Sequence, residues 1–298
     1  MATAQATAPI ETPSGKGAGD ENFPVGSWLL PRVLRPHVAH FYAFARAIDD
    51  IADNPALAPA EKVRRLDGFA AAILGQMPAD PAYAKAHRMR TSLIETGVTP
   101  QHCLDLIAAF KRDATTLRSQ NWDELIYGYC MLSAAPVGRY LLDLHGEARD
   151  DYPASDALCN ALQVINHLQD CKEDYRRLNR VYLPIDWLSE AGETVAALDQ
   201  PRASPGLRHV LDRCLAGVET LLELARQLPR RLKSRRLACE TGAIVALAER
   251  LTAMLRRADP VAGRVALATP AFFFVAARGV LRTLIRGAGA AVASAPAE

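Results

Sequence analysis

The stretch Val38-Ala39-His40-Phe41-Tyr42-Ala43-Phe44-Ala45-Arg46-Ala47-Ile48-Asp49-Asp50-Ile51-Ala52-Asp53 decides the fold class. Val38, Phe41, Ala45, Ile48 and Ala52 recur at spacings of three and four, the repeat of one apolar face of an α-helix. The pattern stops at Asn54-Pro55, where proline turns the preceding residue away from helical backbone. Similar patterns fill roughly 60–75, 85–97, 100–118, 122–145, 156–175, 206–227 and 235–257. Proline-rich breaks separate them at 78–81, 98–100, 150–153 and 201–205. Period-two runs of β-branched residues are nearly absent, and no fixed repeat or linker divides the chain. The sequence therefore predicts one all-α domain of about eight to ten helices over 21–290. Flexible tails are expected at 1–20 and 291–298.

With 298 residues, half of them hydrophobic, the chain can bury a sizeable core. A net charge of +2 gives no concentrated basic face, so nucleic acid is not an expected partner. Cys103, Cys130, Cys159, Cys171, Cys214 and Cys239 lie singly, as reduced thiols of a cytoplasmic protein would. The N-terminal stretch lacks the basic start and apolar run of a signal peptide. The most apolar segment, 261–277, carries Arg264 and Pro270 and makes a poor membrane span.

Two short segments carry the chemistry. In Asp49-Asp50-Ile51-Ala52-Asp53 and Asp170-Cys171-Lys172-Glu173-Asp174, aspartates four apart share one helical face. Mg²⁺ prefers such carboxylate oxygens and keeps positions for water and phosphate oxygens. Two stripes could hold Mg²⁺ against a diphosphate and make it a competent leaving group. Arg46 stands three residues before Asp49, and Tyr42 one turn earlier. Gln163, Asn166, Asp170 and Asp174 form a polar ladder along an otherwise apolar helix, and buried polar groups of that kind need partners. The alternative reading of either stripe alone is a solvated helix end.

Leu29-Leu30-Pro31, Phe41 through Arg46 leading into Asp49–Asp53, Leu162 through Asn166 leading into Asp170 and Asp174, and Asn179-Arg180-Val181-Tyr182-Leu183-Pro184 together resemble the squalene and phytoene synthase family. The order of the two stripes, about 120 residues apart, is similar as well. The resemblance implies an all-α isoprenoid synthase bundle around a central apolar cavity, with the stripes facing each other at its mouth. It implies Mg²⁺ at Asp49, Asp53, Asp170 and Asp174 with Asp50 as a nearby support, and diphosphate contacts from Arg46 and Arg264. Tyr42, Tyr129, Gln163 and Asn166 match positions lining the family's site. Tyr129 and Ser133 lie one turn apart on a predicted helix containing Pro136, where a kink would open space for a prenyl chain.

The departures narrow the branch. Gln169 stands where the family commonly has arginine, Ala134-Ala135-Pro136-Val137-Gly138 stands for the usual Ala-Gly-x-Val-Gly of the middle helix, Thr252 replaces a late tyrosine, and 266–277 is apolar where a basic run is usual. Asn22 through Ser27 and Asp53 through Leu57 are similar to the bacterial hopanoid-pathway branch that acts second, on presqualene diphosphate. That resemblance implies water capture to give hydroxysqualene. It also implies partnership with a presqualene diphosphate synthase upstream and a hydroxysqualene dehydroxylase downstream. The competing readings are condensation of two farnesyl diphosphates, onward to squalene or not, and a non-catalytic prenyl-binding partner of a second synthase. Arg278, Arg282 and Arg286 recur every fourth residue beside Val280, Leu281, Leu284 and Ile285. That stripe suits peripheral contact with an anionic membrane on its inner face, or a solvated helix packed on its own domain. Trp28, Trp122 and Trp187 read as packing anchors, and His167 as a packed or hydrogen-bonded helix residue.

Overall fold

Helix α1 (Arg35–Asp53) places Pro36 in its first turn, where the missing N–H had no helical partner to lose. It ends at Asn54, which is extended before Pro55. The computed structural model describes residues 10–12 and 29–293, with side chains as far as 285. The chain forms two compact units, one of 10–12 with Arg32–Leu117, the other of 29–31 with the residues from Arg118 onward. No strand occurs among the described residues, and the one extended pairing is a parallel bridge between Arg118 and Val181.

In the first unit α1 packs on α2 (Pro59–Leu74), α3 (Ala84–Thr96) and α4 (Gln101–Thr115). Phe41, Phe44, Ile48 and Ile51 line its inner face. Burial of each stabilises the unit by about 1.5–3 kcal/mol. Phe69 meets Phe44 at 6.0 Å and the edge of Tyr83 at 5.4 Å. Gly68 makes room for Tyr83, because a Cβ there would overlap the phenol ring. Within the stretch expected as a flexible tail, the Ile10 N–H donates to the Ala82 carbonyl, the Arg65 guanidinium donates to the Ile10 carbonyl, and buried Glu11 pairs with Lys85 at 3.0 Å. The rest of that expected tail lies almost wholly outside the described residues.

The second unit is built on α7 (Tyr152–Leu178), which contacts α6 (Ala135–Leu144), α9 (Pro205–Ala225) and α11 (Arg235–Leu255). Short helices α5 (Met131–Ser133), α8 (Ile185–Glu190) and α10 (Leu228–Arg231) fill the connections, and α12 (Thr269–Ala293) packs on α11. Helix α12 runs into the expected C-terminal tail as far as Ala293. The expected helix over 122–145 is broken instead. Glu124–Cys130 forms a wide π turn, with the Met131 N–H reaching the Ile126 carbonyl, and α6 restarts at Ala135 with Pro136 in its first turn. Proline has no N–H to continue the ladder and clashes with the carbonyl four residues back, so the break precedes it. Trp122 and Trp187 stack at 5.4 Å, with Arg213 over Trp187 at 4.0 Å. Trp28 is outside the described residues. All six cysteines are free thiols, five of them buried.

Candidate active site

On α1 the accessible strip is narrow. From Ala47 to Ala52 every residue is buried except Asp49, and the strip continues to Arg46 and Tyr42 on one side and Asp53 on the other. Arg46 bonds Asp49 through Nη1 and Asp50 through Nη2, the latter at 2.9 Å. Asp50 differs from its two neighbours in the stripe: its side chain is 6% exposed and points into the unit, against 23% for Asp49. Asp50 therefore orients the arginine and is not on the accessible strip. Asp49 and Asp53, one turn apart, both lie on that strip.

Helix α7 repeats the arrangement. From Asn160 to Cys171 every residue is buried except Gln163, Asn166 and Asp170, and Asp174 extends the same strip by one turn. The polar ladder read from the sequence is thus the one face of this stretch that protein does not cover. Arg264, on the loop before α12, sits with its Nε 3.6 Å from Asp170 Oδ1. Two bonds hold that loop against α7: the Gln169 amide donates to the Val265 carbonyl, and Lys172 Nζ to the Val261 carbonyl at 2.9 Å. Lys172 is a tether. Gln169 is buried, so no cation is offered from the position where the sequence departs from its relatives.

Beside the ladder stands a cluster that sequence reasoning only half found. His167 stacks on Tyr182 with ring centroids 3.6 Å apart, and Tyr129 meets Tyr182 at 5.1 Å with hydroxyls 3.4 Å apart. Gln163 Nε2 lies 3.2 Å from His167 Nε2. Burial, reinforced by nearby Arg180, pushes the imidazole down to about 3, so His167 is neutral near pH 7. The π turn places Tyr129 here: a turn one residue wider shifts the facing of the residues that follow it. Tyr182 follows Asn179, whose left-handed backbone (φ 52°) ends α7 and lets the chain double back. Ser133 lies on α5, and its buried Oγ has no protein partner among the described residues. Thr252, in place of the expected tyrosine, bonds its own helix at the Ala248 carbonyl.

The donors on both strips are hard oxygen atoms at partly exposed positions, which suits Mg²⁺ and leaves coordination positions for phosphate oxygens. Among the described residues no three His, Cys, Asp or Glu side chains converge as a self-contained metal site. A pair of carboxylates per helix needs a ligand such as diphosphate to complete the coordination.

Helices throughout the described residues, with these two carboxylate-bearing strips, define an all-α isoprenoid synthase fold. The squalene/phytoene synthase family model matches residues 17–271, and the chain belongs to that family. It is 44% identical over 279 residues to the hydroxysqualene synthase of Rhodopseudomonas palustris, covering 94% of each chain. It is 43% identical over 248 residues to the hydroxysqualene synthase of Sinorhizobium fredii, covering 83% of this chain and 84% of that one. The crystal structure of squalene synthase HpnC from Alicyclobacillus acidocaldarius superposes with a TM-score of 0.69 at 30% identity, covering 78% of this chain and 87% of that one.

Proposed function

We propose that this enzyme converts presqualene diphosphate and water to hydroxysqualene and diphosphate, with Mg²⁺ bound by Asp49, Asp53, Asp170 and Asp174. The observation that carries the proposal is the coincidence, on α1 and again on α7, of the accessible strip with the aspartates. Solvated helix ends would not leave only those positions uncovered on otherwise buried turns. The similarity to hydroxysqualene synthases supports the choice of substrate. Gln169 supports it too, because that position offers no charge to a second diphosphate.

When bound, Mg²⁺ supplies neutralisation of the diphosphate oxygens. The protein's own groups do the rest. Arg46, aligned by Asp50, and Arg264, placed by the Gln169 and Lys172 tethers, add positive charge to the departing group. The carbon–oxygen bond to diphosphate breaks, the cyclopropylcarbinyl cation rearranges to an allylic cation, and a water oxygen bonds to it with loss of one proton. The faces of Tyr129 and Tyr182 are suited to a passing cation. The substrate must come from a reaction that joins two prenyl diphosphates, and the allylic alcohol must pass to one that removes its hydroxyl. Since both are water-insoluble, the enzyme works against a membrane surface.

Incubation with presqualene diphosphate and Mg²⁺, followed by mass spectrometry, tests the proposal. Hydroxysqualene is expected. Squalene or presqualene diphosphate formed from farnesyl diphosphate, with or without reduced nicotinamide, would reassign the step. No diphosphate release from any prenyl substrate would favour a non-catalytic binder.

A further inference from the structure

No described helix is long and apolar enough to cross a membrane. Yet α12 exposes Phe273, Phe274, Leu281, Leu284 and Ile285, each at least 43% accessible. At 3.6 residues per turn these five fall within an arc of about 120°. Arg278 and Arg282, both exposed, follow along one edge of that arc. The helix is held from the opposite side by a narrow seam, where a Cβ on Gly279 would overlap the Gly242 carbonyl of α11 and one on Gly242 would overlap Thr283. Backbones in contact on one side leave the other side without protein cover. Beyond the arginine edge a cleft of about 250 Å³ continues the positive charge with Arg226, Arg230 and Arg282. Glu249 also lines it and pairs with Arg226 at 2.7 Å.

We propose that the apolar arc of α12 inserts into an anionic phospholipid surface, with lipid phosphate seated along Arg278, Arg282 and the adjoining cleft. Exposed apolar side chains of this size, grouped and flanked by cations, match the interfacial mode of helix binding, and the charge selects the lipid. The inference deepens the membrane reading of the proposed function, and its geometry does not depend on which prenyl substrate is used.

The test is co-sedimentation of the full chain with vesicles of phosphatidylglycerol and phosphatidylcholine, and with phosphatidylcholine alone. Wild type is expected to pellet with the anionic vesicles, less so as salt rises. F273S/F274S is expected in the supernatant. R278Q/R282Q is expected to bind about 30-fold more weakly, since each basic residue near such a surface contributes a factor of about five. Both variants change exposed side chains and should keep the wild-type melting curve. Their turnover of presqualene diphosphate in detergent should match wild type. Wild type remaining in the supernatant, equal binding to both vesicle types, or undiminished binding by both variants would overturn the proposal. So would a dimer in sedimentation velocity that F273S/F274S abolishes, because the arc would then cover a second copy. Vesicle binding without turnover would refute the reaction and leave the surface standing.

Discussion

Replacing His167 with phenylalanine should remove a defined part of the protein's acid sensitivity. The imidazole is buried against Tyr182 and Tyr129, and its pKa is pushed from 6.5 down to about 3. Below pH 6.5 the unfolded chain takes up a proton that the folded chain refuses until about pH 3. His167 therefore weakens the fold as pH falls through that window, and has no effect above it. The slope reaches about 1.4 kcal/mol per pH unit, and the loss at pH 5 relative to pH 7 is about 2 kcal/mol. His145, also pushed down by burial, acts in the same direction and is present in both proteins. Phenylalanine keeps a ring against Tyr182 and gives up the contact with Gln163. Urea denaturation followed by circular dichroism at pH 7 and pH 5 supplies the two stabilities for each protein. The drop should be about 2 kcal/mol smaller in the variant. An equal drop in both would mean that His167 is protonated in the native state, and that the burial argument is wrong.

Glu240 shows the opposite sign: burial raises its carboxyl to about 7, so ionisation opposes folding as pH rises from 4.5. Glu240→Gln should gain on wild type by about 2–3 kcal/mol between pH 5 and pH 8 in the same denaturation assay, and a constant difference would contradict this. Buried Glu147 accepts from the backbone N–H groups of Lys233 and Ser234, 2.9 and 2.8 Å away at the start of α11. Glu147→Ala should cost about 3 kcal/mol, lowering the melting temperature by roughly 6–12 °C in a thermal scan. Gln169→Ala should release the loop bearing Arg264 and lower turnover of presqualene diphosphate while magnesium affinity stays near wild type. Unchanged turnover would show that the Val265 tether does not position Arg264.

Most of the helices were legible because their apolar faces repeat cleanly, as Phe41, Phe44, Ile48 and Ile51 do on α1. The middle of the chain was not. The π turn ending at Cys130 and the break before Pro136 arise from a wider hydrogen-bond spacing, which apolar periodicity does not encode. The aspartate stripes could be read because a spacing of four needs no tertiary information. Asp50 could not be separated from Asp49 in that way: adjacent residues lie 100° apart on a helix, and which one faces inward depends on what packs against it. The partners of Lys172 were not legible for the same reason, since they lie on loops some 28 and 89 residues further along. His167 and Tyr182 meet across a chain reversal that hinges on the positive φ of Asn179, and asparagine is a signal for that conformation.

We propose that the paired aspartates of both helices hold the magnesium that drives diphosphate departure. This is tested most directly by diphosphate release from presqualene diphosphate, measured with and without Mg²⁺, for wild type, Asp49→Asn and Asp170→Asn. Both positions are partly exposed, so each variant should melt as wild type does. Wild type is expected to release diphosphate only with magnesium, and neither variant is expected to release any. Full turnover in either well-folded variant, or release by wild type without a divalent cation, would contradict the proposal.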